Sequence, residues 1–234
     1  MSVDEAHADP HDLPKQERGI TPQMVGRYPH QDVLTQVGHS DEVTRKVVLD
    51  RVENLPPIVY FDEAEAEALK AFCDVVTAQD SEPRVPVLSY VDEKLQAGER
   101  DGWRFYDLPD DGELWRLLAR GLDDEAQAQS FESYAAAPLE AQVSVVHRFS
   151  KADLHGGVWD TINVARGFSV VMRYVAQAFY SHPYAWNEIG FSGPAYPRGY
   201  AAFGAPHLGE QESWETPESV HYDPVTDTRK RGLD

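Results

Sequence analysis

From Tyr60 onward the chain carries apolar residues at helical spacing. Asp62 can cap a helix start, and Glu65, three residues on, completes an approximate capping box. Leu69, Phe72, Cys73 and Val76 then recur at threes and fours, one apolar stripe. Residues 81–86 break it. Leu88, Val91 and Leu95 form a short second stripe that Gly98 ends. Residues 101–112 are turn-like. Leu114, Leu117, Leu118 and Leu122 open a third helix, bent near Gly121 and running on through Ala126, Phe131 and Tyr134. Pro138 fits the first turn of a further helix carrying Val143, Val146 and Phe149. The longest run follows Gly156-Gly157: Val158, Ile162, Ala165, Phe168, Met172, Val175 and Phe179, with Pro183 as its stop. It predicts the central core helix.

Residues 60–182 show no strand-like alternation, and no fixed-period repeat is visible. The expected fold is all-α, an irregular bundle of about five or six helices over 58–182. Residues 1–57 differ. Prolines, acids and histidines are scattered there, and Val33-Leu34 and Val47-Val48-Leu49 are the compact apolar spots. That composition makes no independent core. It predicts an arm that is extended or ordered by lying on something else. Residues 183–204 have neither period and read as an aromatic, Gly/Pro-rich loop; 205–234 read as an acidic tail.

Charge narrows the functions. The 234 residues hold 21 Lys and Arg against 40 Asp and Glu, a formal charge of −19. Such a surface repels phosphate backbones and anionic membranes, which disfavours nucleic-acid and lipid-surface binding. No run approaches the ~20 apolar residues of a bilayer span, and the N-terminus has neither a basic nor an apolar signal region. A cytoplasmic location is expected, with the periplasm or cell envelope as the alternative if a signal-bearing partner exports the chain. One cysteine, Cys73, excludes an intrachain disulfide and a Cys₄ zinc site. It lies on an apolar stripe and reads as a buried, inert thiol.

Catalytic constellations are sparse. His7, His11, His30 and His39 lie in the arm, and His207 and His221 in the tail. The Glu-x-x-His spacing occurs at Glu218–His221 between two prolines, and His-Glu-x-x-His is absent. Gly190-Phe-Ser-Gly193 is one residue short of a nucleophile elbow, and no phosphate-binding glycine loop occurs. No catalytic, cofactor or metal residue is therefore assigned, although a small metal-dependent enzyme using scattered His and Asp/Glu remains an alternative.

The unusual feature is the concentration of Tyr184, Trp186, Phe191, Tyr196 and Tyr200 beside Gly190, Gly193, Gly199, Pro194 and Pro197. Aromatic residues with polar tips supply binding energy at protein interfaces, and prolines lower the ordering entropy. His182, Tyr184, Trp186, Asn187, Tyr196, Pro197 and Tyr200 are the expected partner contacts. The competing reading is that the segment seals the chain's own helices.

The stretch Phe179-Tyr-Ser-His-Pro-Tyr-Ala-Trp-Asn-Glu-Ile-Gly-Phe-Ser-Gly-Pro-Ala-Tyr-Pro-Arg-Gly-Tyr200 resembles the C-terminal signature of the gluconate 2-dehydrogenase subunit 3 family. The opening Phe61-Asp-Glu-Ala-Glu-Ala-Glu-Ala-Leu69 and the Val87-x-x-Tyr-Val-Asp-Glu-Lys-Leu95 pattern agree, so the resemblance covers roughly 59–203. It implies an accessory subunit of a large FAD-dependent dehydrogenase of the glucose–methanol–choline type. That enzyme oxidises gluconate, related sugars or polyols, in many complexes with a c-type cytochrome as acceptor. Flavin and catalytic residues then belong to the large subunit, and this chain supports its folding, stability or export. A transient chaperone role is a further alternative. Many relatives carry a twin-arginine signal, which this chain does not show. The arm is expected to wrap the large subunit and bury Val33, Leu34 and Val47 there.

Overall fold

The computed structural model describes residues 32–79, 82, 84–99, 101–189, 191, 193 and 194. Eight α-helices occur among them: α1 (Val33–Gln36), α2 (Glu42–Glu53), α3 (Glu63–Val76), α4 (Val87–Gln96), α5 (Asp111–Ala128), α6 (Leu139–Ser150), α7 (Val164–Tyr180) and α8 (Pro183–Ile189). No strand occurs among the described residues, so the fold is all-α as expected. The chain divides into two compact units. One is Leu55–Ser181; the other joins Met1–Asn54 to His182–Asp234.

The unit Leu55–Ser181 holds α3 to α7. Its helix starts are written in the sequence. The Asp62 side chain accepts from the Glu65 amide at 2.9 Å and Glu65 reaches back to the Asp62 amide at 3.2 Å, a complete capping box. Asp110 caps α5 through the Gly112 and Glu113 amides, and Asn163 caps α7 through that of Arg166. α3 packs on α4, α5 and α6, and α7 on α4, α5 and α6. Leu69, Phe72, Trp115, Leu118, Leu122, Val171 and Tyr174 are fully buried between them.

Several registers differ from the periodicity. The α7 run does not begin at Val158: Gly156 has φ +86°, residues 157–161 form a 3₁₀ turn, and the helix starts at Val164. Its buried face is Gly167, Val170, Val171, Tyr174, Val175, Ala178 and Phe179. Ala165 is exposed, and Phe168 and Met172 are half-buried. The helix is apolar around a wide arc, and period alone selects the edge of that arc. Tyr174 sits in the core because its hydroxyl donates to Asp111 at 2.6 Å. α5 stops at Ala128 rather than continuing to Tyr134, with Ser130 at φ +70° and the Phe131 amide returning to the Ala126 carbonyl. Gly121 lies within the continuous α5. It makes room for Trp159, whose ring would lie 2.6 Å from a Cβ there. In α6 Val145, not Val143 or Val146, joins Phe149 in the core.

A polar tie unannounced by periodicity anchors the entry to α3. Asp92, fully buried on α4, accepts from the amides of Val59 (2.8 Å), Tyr60 (3.0 Å) and Phe61 (3.1 Å). Three consecutive amides converge on one carboxylate, so the extended segment 55–61 is fixed without pairing to another strand.

The second unit brings α1, a 3₁₀ turn at Val37–His39, and α2 onto α8. The region read as an arm, extended or ordered by lying on something else, is helical over 33–36 and 42–53. Asp32 and Asp41 cap these helices by accepting from Leu34 and Thr44. Residues 183–189, read as loop, are also helical. Pro183 starts a new helix, where its missing N–H is no loss, besides following the end of α7.

Candidate functional site

The site is built on α8. His182 precedes Pro183 and acts as the helix start: its carbonyl accepts from the Trp186 amide at 3.2 Å, and its Nδ1 accepts from the Tyr184 amide at 3.2 Å. With Nδ1 an acceptor, the proton resides on Nε2, and the ring also hydrogen-bonds the backbone of Arg51 in α2. Burial drives the imidazole down to about 4, so it is neutral at pH 7. The Tyr184 ring meets it edge-on at 4.6 Å. Both ring nitrogens are therefore committed to the backbone, which makes His182 a linchpin for two helices rather than an acid–base group.

Trp186 is 8% exposed and packs with Val33, Val37 and Val48, flanked by Leu34 and Leu49. The apolar spots of the N-terminal region thus find their partner in the C-terminal signature of the same chain. Phe191 folds back on Trp186, its amide on the Trp186 carbonyl at 2.9 Å and its ring perpendicular at 5.4 Å. Asn187 is fully buried. Its Oδ1 accepts from the Val33 amide at 2.8 Å, and its Nδ2 donates to Asp32 Oδ1 at 3.3 Å. One carboxamide thus satisfies the first turn of α1 and the carboxylate that caps it. Gly193 has φ +82°, and a Cβ there would fall 2.9 Å from Val33 Cγ2. Only glycine suits both the backbone and the close approach. Glu188 beside them is driven up to about 7 by burial.

Of the expected partner contacts, His182, Trp186 and Asn187 turn inward within this unit, and Tyr184 is half-buried. Ile189 and Phe191 are exposed. Tyr196, Pro197 and Tyr200 lie outside the described residues, as do His7, His11, His30, His207, His221 and the loop beyond Pro194. Val33 lies under Trp186 and Gly193, and Leu34 is partly buried beside it. Val47 alone of the three arm residues stays open to solvent, at 52%.

A second feature, read from sequence only as a turn, lies in the other unit. Between α4 and α5, Trp103 (55% exposed) and Tyr106 (91% exposed) flank Phe105. The Arg173 guanidinium covers Trp103 at 4.6 Å, and Arg166 lies over Phe105 at 5.0 Å while pairing with Asp107 at 2.7 Å. That ion pair holds the Asp107 carboxyl below its usual range. The interleaving of Trp103, Arg104, Phe105 and Tyr106 was the available signal. Cys73 is buried, and burial pushes its thiol up, far from a reactive thiolate. Among the described residues no three His, Cys, Asp or Glu side chains gather as metal ligands, and no helix is long and apolar enough to cross a membrane.

A model of the family described as gluconate 2-dehydrogenase subunit 3 matches residues 63–193. The chain belongs to the gluconate 2-dehydrogenase subunit 3 family. The match opens on the first residue of α3 and closes on Gly193, whose missing side chain admits Val33. Asn187, Trp186 and Gly193 therefore lie inside the family region, while α1, which they hold, lies outside it. No curated protein and no solved structure matches the chain.

Proposed function

We propose that this chain is a non-catalytic small subunit that binds and stabilises the large FAD-dependent subunit of a gluconate, sugar or polyol dehydrogenase complex. Family membership over residues 63–193 carries the reading. The residue chemistry supports it. His182, the buried imidazole of the signature, has both nitrogens engaged with backbone, and the single thiol is buried. The chain offers surface instead. Trp103 and Tyr106 are exposed, and Trp, Tyr and Arg are the residue types that dominate interface energetics.

In this reading the inward residues of the signature act by positioning. His182, Trp186 and Asn187 hold α8 so that Tyr184, Ile189 and Phe191, followed by Tyr196, Pro197 and Tyr200, meet the partner. FAD resides in the large subunit, and a c-type cytochrome accepts the electrons. Binding the native large subunit but not its unfolded form stabilises it by mass action; at about 100 Kd the gain is ~2.7 kcal/mol.

Affinity purification of the full chain from its native host, followed by a flavin absorption spectrum, tests this. A stable 1:1 complex with a flavoprotein that oxidises gluconate, a sugar or a polyol is expected. Sugar oxidation by the isolated chain, or stoichiometric metal in it, would overturn the proposal in favour of an autonomous enzyme. Release of the flavoprotein after maturation would favour a transient chaperone.

A further inference from the structure

A groove of about 650 Å³ lies within the unit Leu55–Ser181, along one side of α3. That size falls in the range of about 300–1,000 Å³ typical of sites that bury a ligand or side-chain cluster. Its floor is apolar: Phe61, Cys73, Val85, Val87 and Leu88 are all buried, and Ile58 and the exposed Leu55 stand at one end. The α3 wall presents Glu63, Ala66, Glu67, Lys70 and Asp74, spaced three and four apart and hence on one helical face. Ala66, the smallest of them, stands between two glutamates, so an incoming backbone can approach the helix closely.

The rim is acidic. Asp62, Glu63, Glu67, Asp74 and Glu82 face two cations, Lys70 and Arg84, which leaves a charge of −3. Arg84 is already engaged by Asp74 and, at 3.3 Å, by Glu82. Glu63 and Glu67 are exposed and make no ion pair among the described residues. An apolar floor under an acidic lip selects an occupant that is apolar on one face and basic at its edges. A second copy of this chain is a poor fit, since its net charge of −19 meets a lip of the same sign.

We infer that this groove is the docking site for an apolar segment bearing Lys or Arg, contributed by the flavin-bearing subunit. The inference rests on the proposed function for the identity of the partner. The apolar face of the segment covers Phe61, Val85 and Leu88, and its basic residues pair with Glu63 and Glu67.

The test uses the full chain co-expressed with its flavoprotein subunit. Glu63→Lys/Glu67→Lys reverses the lip without touching the core, and Ala66→Trp fills the groove from the α3 side. Glu132→Lys/Glu140→Lys, at two exposed positions outside the groove, is the control for the same change in net charge. Capture of the flavoprotein by the lip variant is expected to fall about tenfold. The Ala66→Trp chain, checked for wild-type helicity, loses capture likewise, and the control retains it. In the wild-type complex, amide exchange over residues 84–89 is expected to slow relative to the free chain. Undiminished capture by both groove variants, with exchange over 84–89 unchanged, overturns the groove and leaves the proposed function standing. Failure of the wild-type chain to capture any flavoprotein overturns both. Loss of self-association in the variants, with capture intact, assigns the groove to copies of this chain and also overturns the inference.

Discussion

Asn187→Ala isolates the contact on which the N-terminal helix depends. Truncation removes the Oδ1 acceptor of the Val33 amide and the Nδ2 donor to Asp32, both in a buried setting. An orphaned buried donor costs about 1–3 kcal/mol. α1 has four residues and cannot stand by itself, so its stability is that of its docking. The local opening equilibrium of residues 32–37 should then shift by about 5- to 150-fold. Hydrogen exchange read on peptides covering 32–39 measures this directly, with peptides from α5 and α7 as internal references that should not change. Asn187→Asp sharpens the result. It keeps an acceptor for Val33 but sets a carboxylate oxygen where Nδ2 lay, 3.3 Å from Asp32 Oδ1. It should lose protection like Asn187→Ala while both carboxyls are ionised and recover it on acidification, when the facing pair shares one proton. Unchanged exchange over 32–39 in Asn187→Ala would refute the role assigned to this carboxamide.

Gly193→Ala should destabilise the same unit by about 1–2 kcal/mol, because a Cβ at φ +82° is strained and meets Val33 at 2.9 Å; thermal unfolding and exchange over 32–39 both report it. Asp92→Ala strands the buried Phe61 amide and the part-buried amides of Val59 and Tyr60, and should lower the stability of the helical unit by about 2–3 kcal/mol, measured by urea unfolding. Gly121→Ala drives a methyl into the Trp159 ring and should cost about 1–3 kcal/mol by the same measurement. His182 sets a pH window: its folded value of about 4 lies below the unfolded 6.5, so its contribution is complete above pH 6.5 and fades as the pH falls towards 4. The full loss is about 3 kcal/mol, visible as lower protection of α8 amides, relative to their intrinsic exchange rates, on acidification. Glu188 acts in the opposite direction, its value raised to about 7. Glu188→Gln should therefore leave stability unchanged below pH 4.5 and raise it above pH 7 by about 1–2 kcal/mol, the Glu being partly exposed.

Sequence alone established the all-α class, the helix starts at Asp62 and Pro138, and the family. Each of these is local: a cap and its third residue, a proline, or a contiguous signature. It also determined which apolar segments exist. It did not determine which face of α7 is inward, because a helix apolar over a wide arc offers several stripes of equal period, and only its neighbours choose among them. Nor did it reveal why Gly121 and Gly193 are glycines, since each makes room for a side chain distant in sequence, Trp159 and Val33. Asp92 carried no periodic signal; its role arises when α4 brings one carboxylate to three amides of another segment. The signature shows the division most plainly. Its aromatic richness predicted contacts, and composition could not say with what. Tertiary structure turned Trp186 and Asn187 towards Val33 and Asp32, more than 150 residues away, because a polar, proline-rich N-terminal segment can be ordered only by burying its few apolar residues and satisfying its amides on something already folded.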